Sequence, residues 1–344
     1  MSFIYKLAEV TIVIPTFNRE KTLKKNLDFL NSFKKKIIIK IIDSSFKKST
    51  INFAKFKYLE ISYQYFDHNI NLSKKIYLGT RYIKTEFIVL CPDDDFIIPT
   101  TVDKLVNFLQ INKDYVCAQG LFFQHALSQR FWKKMNFTYL YPNNKSNESP
   151  LSYLRCKNYF SGKTNHVFYS VIRTFIFKKI WKFIMLHANF SLIMEHTQTF
   201  LINLFGKTKV LNYLYLARDG SVNDNVINIK IINKQYDNII ILKLINNILT
   251  YFNLKKKDAR TLVLFKQYLI RHRSNYKIVM KRRKTFFYKI HYLIYVKIYS
   301  ILFSTLFLKK KMKNKIEYYY LKYRNSINEL RKSRKLYSKT SRFI

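Results

Sequence analysis

Three aspartates in a row, Asp93, Asp94 and Asp95, close an apolar run in EFIVLCPDDDFIIP. The chain around them is strongly basic: 63 Lys and Arg stand against 20 Asp and Glu, a formal net charge of +43. Carboxylates this close raise one another's pKa unless a cation or hydrogen bonds compensate. A divalent metal that also grips a phosphorylated ligand would compensate, and hard ions such as Mn2+ and Mg2+ prefer carboxylate and phosphate oxygens. The plainer account is a solvated acidic turn with an Asp capping the next helix. Pro99 with a capping Thr100 or Thr101 already supplies a helix start, however, and FIIP should pin the turn against a core. The metal and nucleotide account is the stronger.

The elements that must position this turn can be read from periodicity. VTIVIP (10–15) is a short β-branched run of the kind a buried strand needs, followed by a polar TFNRE turn. Leu23, Leu27 and Leu30 then recur at helical spacing. KIIIKIID (36–43), residues 61–66, EFIVLC (86–91) and DYVCAQG (114–120) read as further strands. Residues 72–84 and 100–111 read as helices, the second with a Thr cap. Alternation of this kind predicts an α/β fold, a mostly parallel sheet covered by helices. Ligands of such sheets bind beyond the carboxyl ends of the strands, so TFNRE, DSS and CPDDD can line one crevice. Further on, PNNKSNESP (142–150) is a loop signal, and residues 190–206 return to helical spacing and stop at Gly206 as a C-cap. Beyond Gly220 the chain has no Gly or Pro and reads as basic, aromatic-rich helices, which places a boundary within residues 225–255.

Taken in order, VTIVIPTFNRE, IIDSS and EFIVLCPDDDFIIP resemble the opening of GT-A-fold glycosyltransferases, in particular those of family 2, across residues 9–220. A later segment, Tyr169-Ser170-Val171-Ile172-Arg173-Thr174, resembles a YS-x-x-RT pattern of bacterial members. The resemblance implies a Rossmann-like GT-A domain over residues 1–230 and leaves 231–344 as a basic helical extension. It implies a nucleotide-sugar donor, Mn2+ or Mg2+ on the diphosphate, and an inverting transfer to a glycan or lipid-linked acceptor in surface polysaccharide synthesis. Carried over by position, Pro15, Thr16 and Phe17 would border the base and ribose, Asp43 would accept from the base and Asp93 would face the ribose. Asp94 or Asp95, as the acid of a DxD-type motif, would hold the metal. Lys74 stands where the family often has a cation for the diphosphate, with Lys75 and Arg81 as alternatives. A late loop offers Arg218 to the same group, and His166 and Arg173 could line the acceptor side.

The family places its catalytic carboxylate in an acidic pair at the start of a late helix; here SLIMEHTQTF offers Glu195-His196, with histidine for the second acid. Glu195 or His196 would deprotonate the acceptor hydroxyl as it attacks the anomeric carbon. The departure leaves open a transferase fold that has lost catalysis.

Composition bounds the rest. A hydrophobic fraction of 48% suffices for a core, and 5 Gly and 5 Pro argue against a turn-rich β-sandwich. Cys91, Cys117 and Cys156 have no paired spacing, so a disulfide framework or zinc site is not expected and a reducing compartment is. The opening MSFIYKLAEVTIVIP lacks signal-peptide order and reads as a first strand, which together point to a cytoplasmic protein. Abundant Lys, Ile and Asn fit an AT-rich coding bias, but residues 255–344 carry 27 Lys and Arg against Asp258, Glu317 and Glu329. Within them, 286–308 is apolar and aromatic between KRRK (281–284) and KKKMKNK (309–315). This suits a helix lying on an anionic membrane surface, or one packed on the catalytic domain with its lysines reaching water. Nucleic acid is the competing polyanion, but it leaves the acidic triple unexplained.

Overall fold

The computed structural model describes residues 9–127, 135–140, 145–164, 166–188, 191–219, 237–254 and 258–284. The described strands form one nine-stranded sheet in the order β3-β2-β1-β4-β8-β6-β9-β5, with β7 paired to β6. β1 (Val10–Thr16), β2 (Ile37–Asp43), β3 (Leu59–Tyr65) and β4 (Phe87–Leu90) are parallel, as a β-branched apolar run covered on both faces predicts. Val10 and Ile12 to Ile14 are fully buried in β1. β8 (Val171–Arg173) runs antiparallel between β4 and the long β6 (Tyr115–Leu127), and β9 (Lys207–Asp219) lies parallel to β6. β5 (Phe96–Ile97) follows β4 in the chain yet pairs antiparallel with β9 at the far end of the order. β7 (Met135–Leu140) completes the sheet.

Helices cover the sheet. α1 (Glu20–Asn31) buries Leu23, Leu27 and Leu30, the stripe that its spacing predicts, with Asn26 on the same face. α2 is Leu72–Thr80, capped by the Asn71 side chain on the Lys74 amide. α3 (Pro99–Ile111) starts without the expected threonine cap. Its N-cap is Ile98, Pro99 opens the helix, and the Thr101 hydroxyl donates instead to the Leu214 carbonyl at 2.6 Å. α4 (Ser152–Phe160), α5 (Thr174–His187) and α6 (Ser191–Phe205) follow. Gly206 ends α6, but close packing rather than a left-handed cap explains it: an added Cβ would lie 2.4 Å from Val116 Cγ2. Gly120 is likewise a close approach, with Tyr213 O and Tyr215 Cβ each 2.5 Å from an added Cβ.

The chain divides into two compact units. One comprises residues 1–224 and 239–266, the other 225–238 and 267–344. α7 (Asn238–Tyr251) thus falls almost wholly in the first unit, as does the start of α8 (Ala259–Lys284). The reason is apolar burial: Ile241, Leu244, Ile248, Leu262 and Phe265 are buried, and the Phe265 ring stacks on Phe200 at 4.2 Å between centroids. Of the second unit, residues 237–238 and 267–284 are described, and 267–284 belong to α8. Among the described residues no helix is long and apolar enough to cross a membrane. The apolar stretch 286–308 and the KKKMKNK block lie outside the described residues.

Candidate active site

The path from β4 to β5 explains where the acidic triple sits. The Cys91 amide still donates to Val13 O at 2.9 Å, and the chain then turns, with the Asp95 amide on Pro92 O at 3.3 Å. Phe96 pairs opposite Ala217, so the turn bridges the tip of β4 and the end of β9. Its back is held by Asn26. This fully buried amide donates to Asp95 O at 2.7 Å and Pro92 O at 3.2 Å, with Asp93 O at 3.5 Å. Polar in the middle of an apolar helical stripe, Asn26 carried a sequence signal that the motifs alone passed over.

The tips of β1 and β2 meet this turn. The Thr16 hydroxyl donates to Asp93 Oδ2 at 2.7 Å, and both residues are buried. Arg19 Nη1 reaches Asp93 Oδ1 at 3.1 Å and Asp94 Oδ2 at 2.6 Å. Burial pushes the Asp93 carboxyl above its ordinary range, against the pull of Thr16 and Arg19. Burial opposes charge on Arg19, but Asp93 and Asp94 outweigh it and hold the guanidinium above its usual value. Asp43, at the end of β2, accepts from the Ser45 amide and hydroxyl on Oδ1, at 2.8 and 2.6 Å, and from the Tyr63 hydroxyl on Oδ2 at 2.7 Å. Burial pushes the Tyr63 hydroxyl up to about 12, so it remains a donor.

Asn18, with φ of 54°, ties the two tips together: its amide donates to Ser45 Oγ and its side chain accepts from the Phe46 amide. These residues enclose a cavity of about 470 Å3 lined by Thr16, Asn18, Asp43, Phe46, Lys48 and Thr50 among others. Phe17, exposed next to it, meets the exposed Phe46 edge to face at 5.6 Å. Pro15 sits half-buried in β1, opposite Ile42.

Of the two lysines in α2, Lys74 is exposed and Lys75 is the one that points inward. Lys75 Nζ donates to Thr16 O at 2.9 Å and Ser44 Oγ at 2.8 Å, behind the cavity. Burial pulls its ammonium down to about 8, although the charges of Asp43 and Asp93 oppose the shift. The choice between adjacent lysines depends on helix phase against the sheet, which the sequence did not fix.

The other side of the turn is built by β9 and α6. Arg218 Nε lies 3.4 Å from Asp95 Oδ2, and its guanidinium sits over the Tyr169 ring at 5.5 Å. Burial holds the Tyr169 hydroxyl well above its ordinary value; the charges of Glu195, Asp95 and Asp94 add to this and that of Arg218 opposes it. Burial raises the Glu195 carboxyl above its usual range, opposed by Arg218. His196 is one position, about 100°, further round the helix and turns elsewhere. Its Nδ1 lies 3.0 Å from the Tyr159 hydroxyl, which also meets His166 Nδ1 at 3.1 Å. One phenol has one proton to give, so it donates to at most one of these nitrogens and accepts from the other. Arg173 closes the C-terminus of α3 instead of lining the crevice: it donates to Leu109 O, Asn112 O and Tyr115 O.

A metal fits this donor set in a limited way. Among the described residues no three His, Cys, Asp or Glu side chains form a metal-binding group. Asp93 and Asp94 nonetheless present two hard oxygens to one cationic nitrogen of Arg19. Mg2+-type ions are commonly held by one or two carboxylates plus substrate phosphates, and two carboxylates are what the turn offers.

The profile described as "Glycosyl transferase family 2" matches residues 11–181. The chain is a glycosyltransferase with the GT-A type of α/β fold. Within that class it is family 2-like, its family 2 stretch running from β1 into α5. Among solved structures, S. aureus TarS 1–349 is similar at 13% identity, covering 77% of this chain and 72% of that one with a TM-score of 0.50. The same protein in complex with UDP is similar at 15% identity, covering 80% and 75%, also at 0.50. No curated protein matches the sequence significantly.

Proposed function

We propose that the chain moves a sugar from a nucleotide-sugar donor to a glycan or lipid-linked acceptor in surface polysaccharide synthesis, by an inverting, metal-assisted displacement. The observation that carries the reading is the convergence of Thr16, Asp43 and Asp93 on one mouth, joined through Asp95, Arg218 and Tyr169 to Glu195. The cavity beside Asp43 takes the base, Phe17 and Phe46 offer ring faces and edges to it, and Asp93 receives the ribose. Asp94 and Asp93 would hold Mn2+ or Mg2+, with Asp95 kept on Arg218. The ion, when bound, offsets the charge that builds on the departing diphosphate.

Glu195 is the base. It takes the proton of the acceptor hydroxyl as that oxygen bonds to the anomeric carbon and the bond from this carbon to the diphosphate oxygen breaks. A carboxyl raised by burial is better matched to this task near neutral pH than an ordinary one. Lys75 and Arg218 add positive charge behind and beside the diphosphate. His196 acts through Tyr159 to fix the start of α6 rather than by taking the proton. The TarS complex suggests UDP as the first nucleotide to try.

The test is a thermal-shift screen of nucleoside diphosphates with and without Mn2+, since a ligand that binds the folded state raises its stability by mass action. A metal-dependent shift with one nucleotide supports the reading, and no shift with any of them defeats it. We further propose a cytoplasmic enzyme held peripherally at an anionic membrane by the basic tail. Flotation with anionic but not neutral liposomes supports this, and equal recovery from both removes it.

A further inference from the structure

Arg19 stands where the charge of a metal is wanted. A single nitrogen, Nη1, bridges oxygens of two successive residues, Asp93 and Asp94, at 3.1 and 2.6 Å. That is the arrangement of a cation shared between carboxylates, not the two-pronged fork that guanidinium makes with one carboxylate. The partners differ in freedom. Asp93 is buried and fixed by Thr16, whereas the side chains of Arg19 and Asp94 are 41% and 35% exposed. Exposed pairs of this kind exchange readily. We propose that Arg19 is the resident counter-cation of the acidic turn: it holds Asp93 and Asp94 while the donor is away, yields them to the metal–diphosphate, and then pairs with the diphosphate. This rests on the donor-binding reading above. Electrostatics requires some such partner, because Asp93 and Asp94 are successive carboxylates that repel one another and Asp93 is buried. Once released, the guanidinium keeps its charge and its planar array of donors, which suits phosphate oxygens.

A brace and a counter-cation predict opposite signs. If Arg19 only stiffens the turn, removing it disorders the carboxylates and weakens metal binding. If it competes for them, removing it strengthens metal binding and weakens the nucleotide. The experiment titrates Mn2+ alone into full-length wild type, Arg19→Met, Arg19→Gln and Arg19→Lys, followed by electron paramagnetic resonance, and then titrates UDP at saturating Mn2+. Arg19→Met and Arg19→Gln should bind Mn2+ about tenfold tighter, the effect of one charge lost at contact distance in a half-solvated site. Both should bind UDP about tenfold more weakly, and Arg19→Lys should fall between them and wild type. Unchanged or weaker Mn2+ binding in Arg19→Met and Arg19→Gln, with wild type still taking UDP, overturns the exchange and leaves the donor reading standing. A wild type that takes neither Mn2+ nor UDP overturns both.

Discussion

Replacing Asn26 by leucine is expected to destabilise the protein modestly, and replacing it by aspartate severely. The amide has two hydrogens, and the two nearest acceptors are Asp95 O at 2.7 Å and Pro92 O at 3.2 Å. Leucine removes both of these bonds, although Pro92 O keeps the Asp95 amide at 3.3 Å and Asp95 O keeps the Cys91 thiol at 3.5 Å. Deleting the buried donor of a 2.7 Å hydrogen bond costs about 1–3 kcal/mol. Part of that is recovered, because Asn26 Oδ1 is buried without a hydrogen-bond partner among the described residues and leucine removes it. The net loss should be about 1–2 kcal/mol. Aspartate instead turns a carboxylate on three carbonyl oxygens in a fully buried position, which costs upwards of about 3 kcal/mol. Urea unfolding followed by tryptophan fluorescence reads both, since Trp181 is fully buried. UDP affinity should fall with Asn26→Leu, because the turn that carries Asp93 to Asp95 loses its tie to α1. A leucine variant as stable as wild type, or an aspartate variant no worse than leucine, refutes the reasoning.

Other expectations follow from the same geometry. Asp94→Ala and Asp95→Ala should abolish transfer, one by removing a metal oxygen and the other by freeing Arg218, as measured by release of nucleoside diphosphate. Glu195→Gln should keep UDP affinity and lose about 10²–10⁴ in rate, the usual worth of a general base. Because burial raises Glu195, the wild-type rate should fall on the acid side at a pH above the ordinary carboxylate range, and this limb should vanish in the glutamine variant.

The Lys75 ammonium is shifted in the opposite direction to the Glu195 carboxyl. Its folded value of about 8 lies below the 10.5 of the free side chain. The unfolded chain therefore binds more protons between those values, and stability should rise as pH climbs from 8 to 10.5, by up to about 3 kcal/mol. Lys75→Met should flatten that slope in pH-dependent melts. Gly120→Ala should cost at least about 1–3 kcal/mol in the same assay, because the clashing atoms are a carbonyl and a Cβ that cannot swing aside.

Local pattern carried much of the architecture. β1, β2 and β4 and helices α1 and α3 follow from apolar periodicity, because a buried strand or an amphipathic helix writes its environment into its own residues. The order of the three polar turns, each at a strand end, is likewise a sequence property, since parallel α/β units send every such turn to the same edge. Pairing partners are not local. β5 leaves β4 and joins β9, which brings Arg218 to a carboxylate 123 positions earlier, and no periodicity in either segment announces it. The start of α3 differs from the expected threonine cap for a related reason: Pro99 opens the helix after Ile98, and Thr101, inside it, donates its hydroxyl to Leu214 O of β9. The placing of 239–266 with the first unit was hidden too, because an apolar helical stripe does not say which surface will cover it.

The sequence by itself determined that three carboxylates would close a buried strand within a basic α/β chain, because residue type and spacing set charge and local geometry. Only the tertiary structure decided which groups answer them. Arg19, Thr16, Asn26 and Arg218 reach the turn across 65 or more residues, and that Lys75 rather than Lys74 points inward, or that His196 rather than Glu195 meets Tyr159, is a matter of rotation about a helix axis. Those choices are set by packing against the sheet, a condition that no single segment contains.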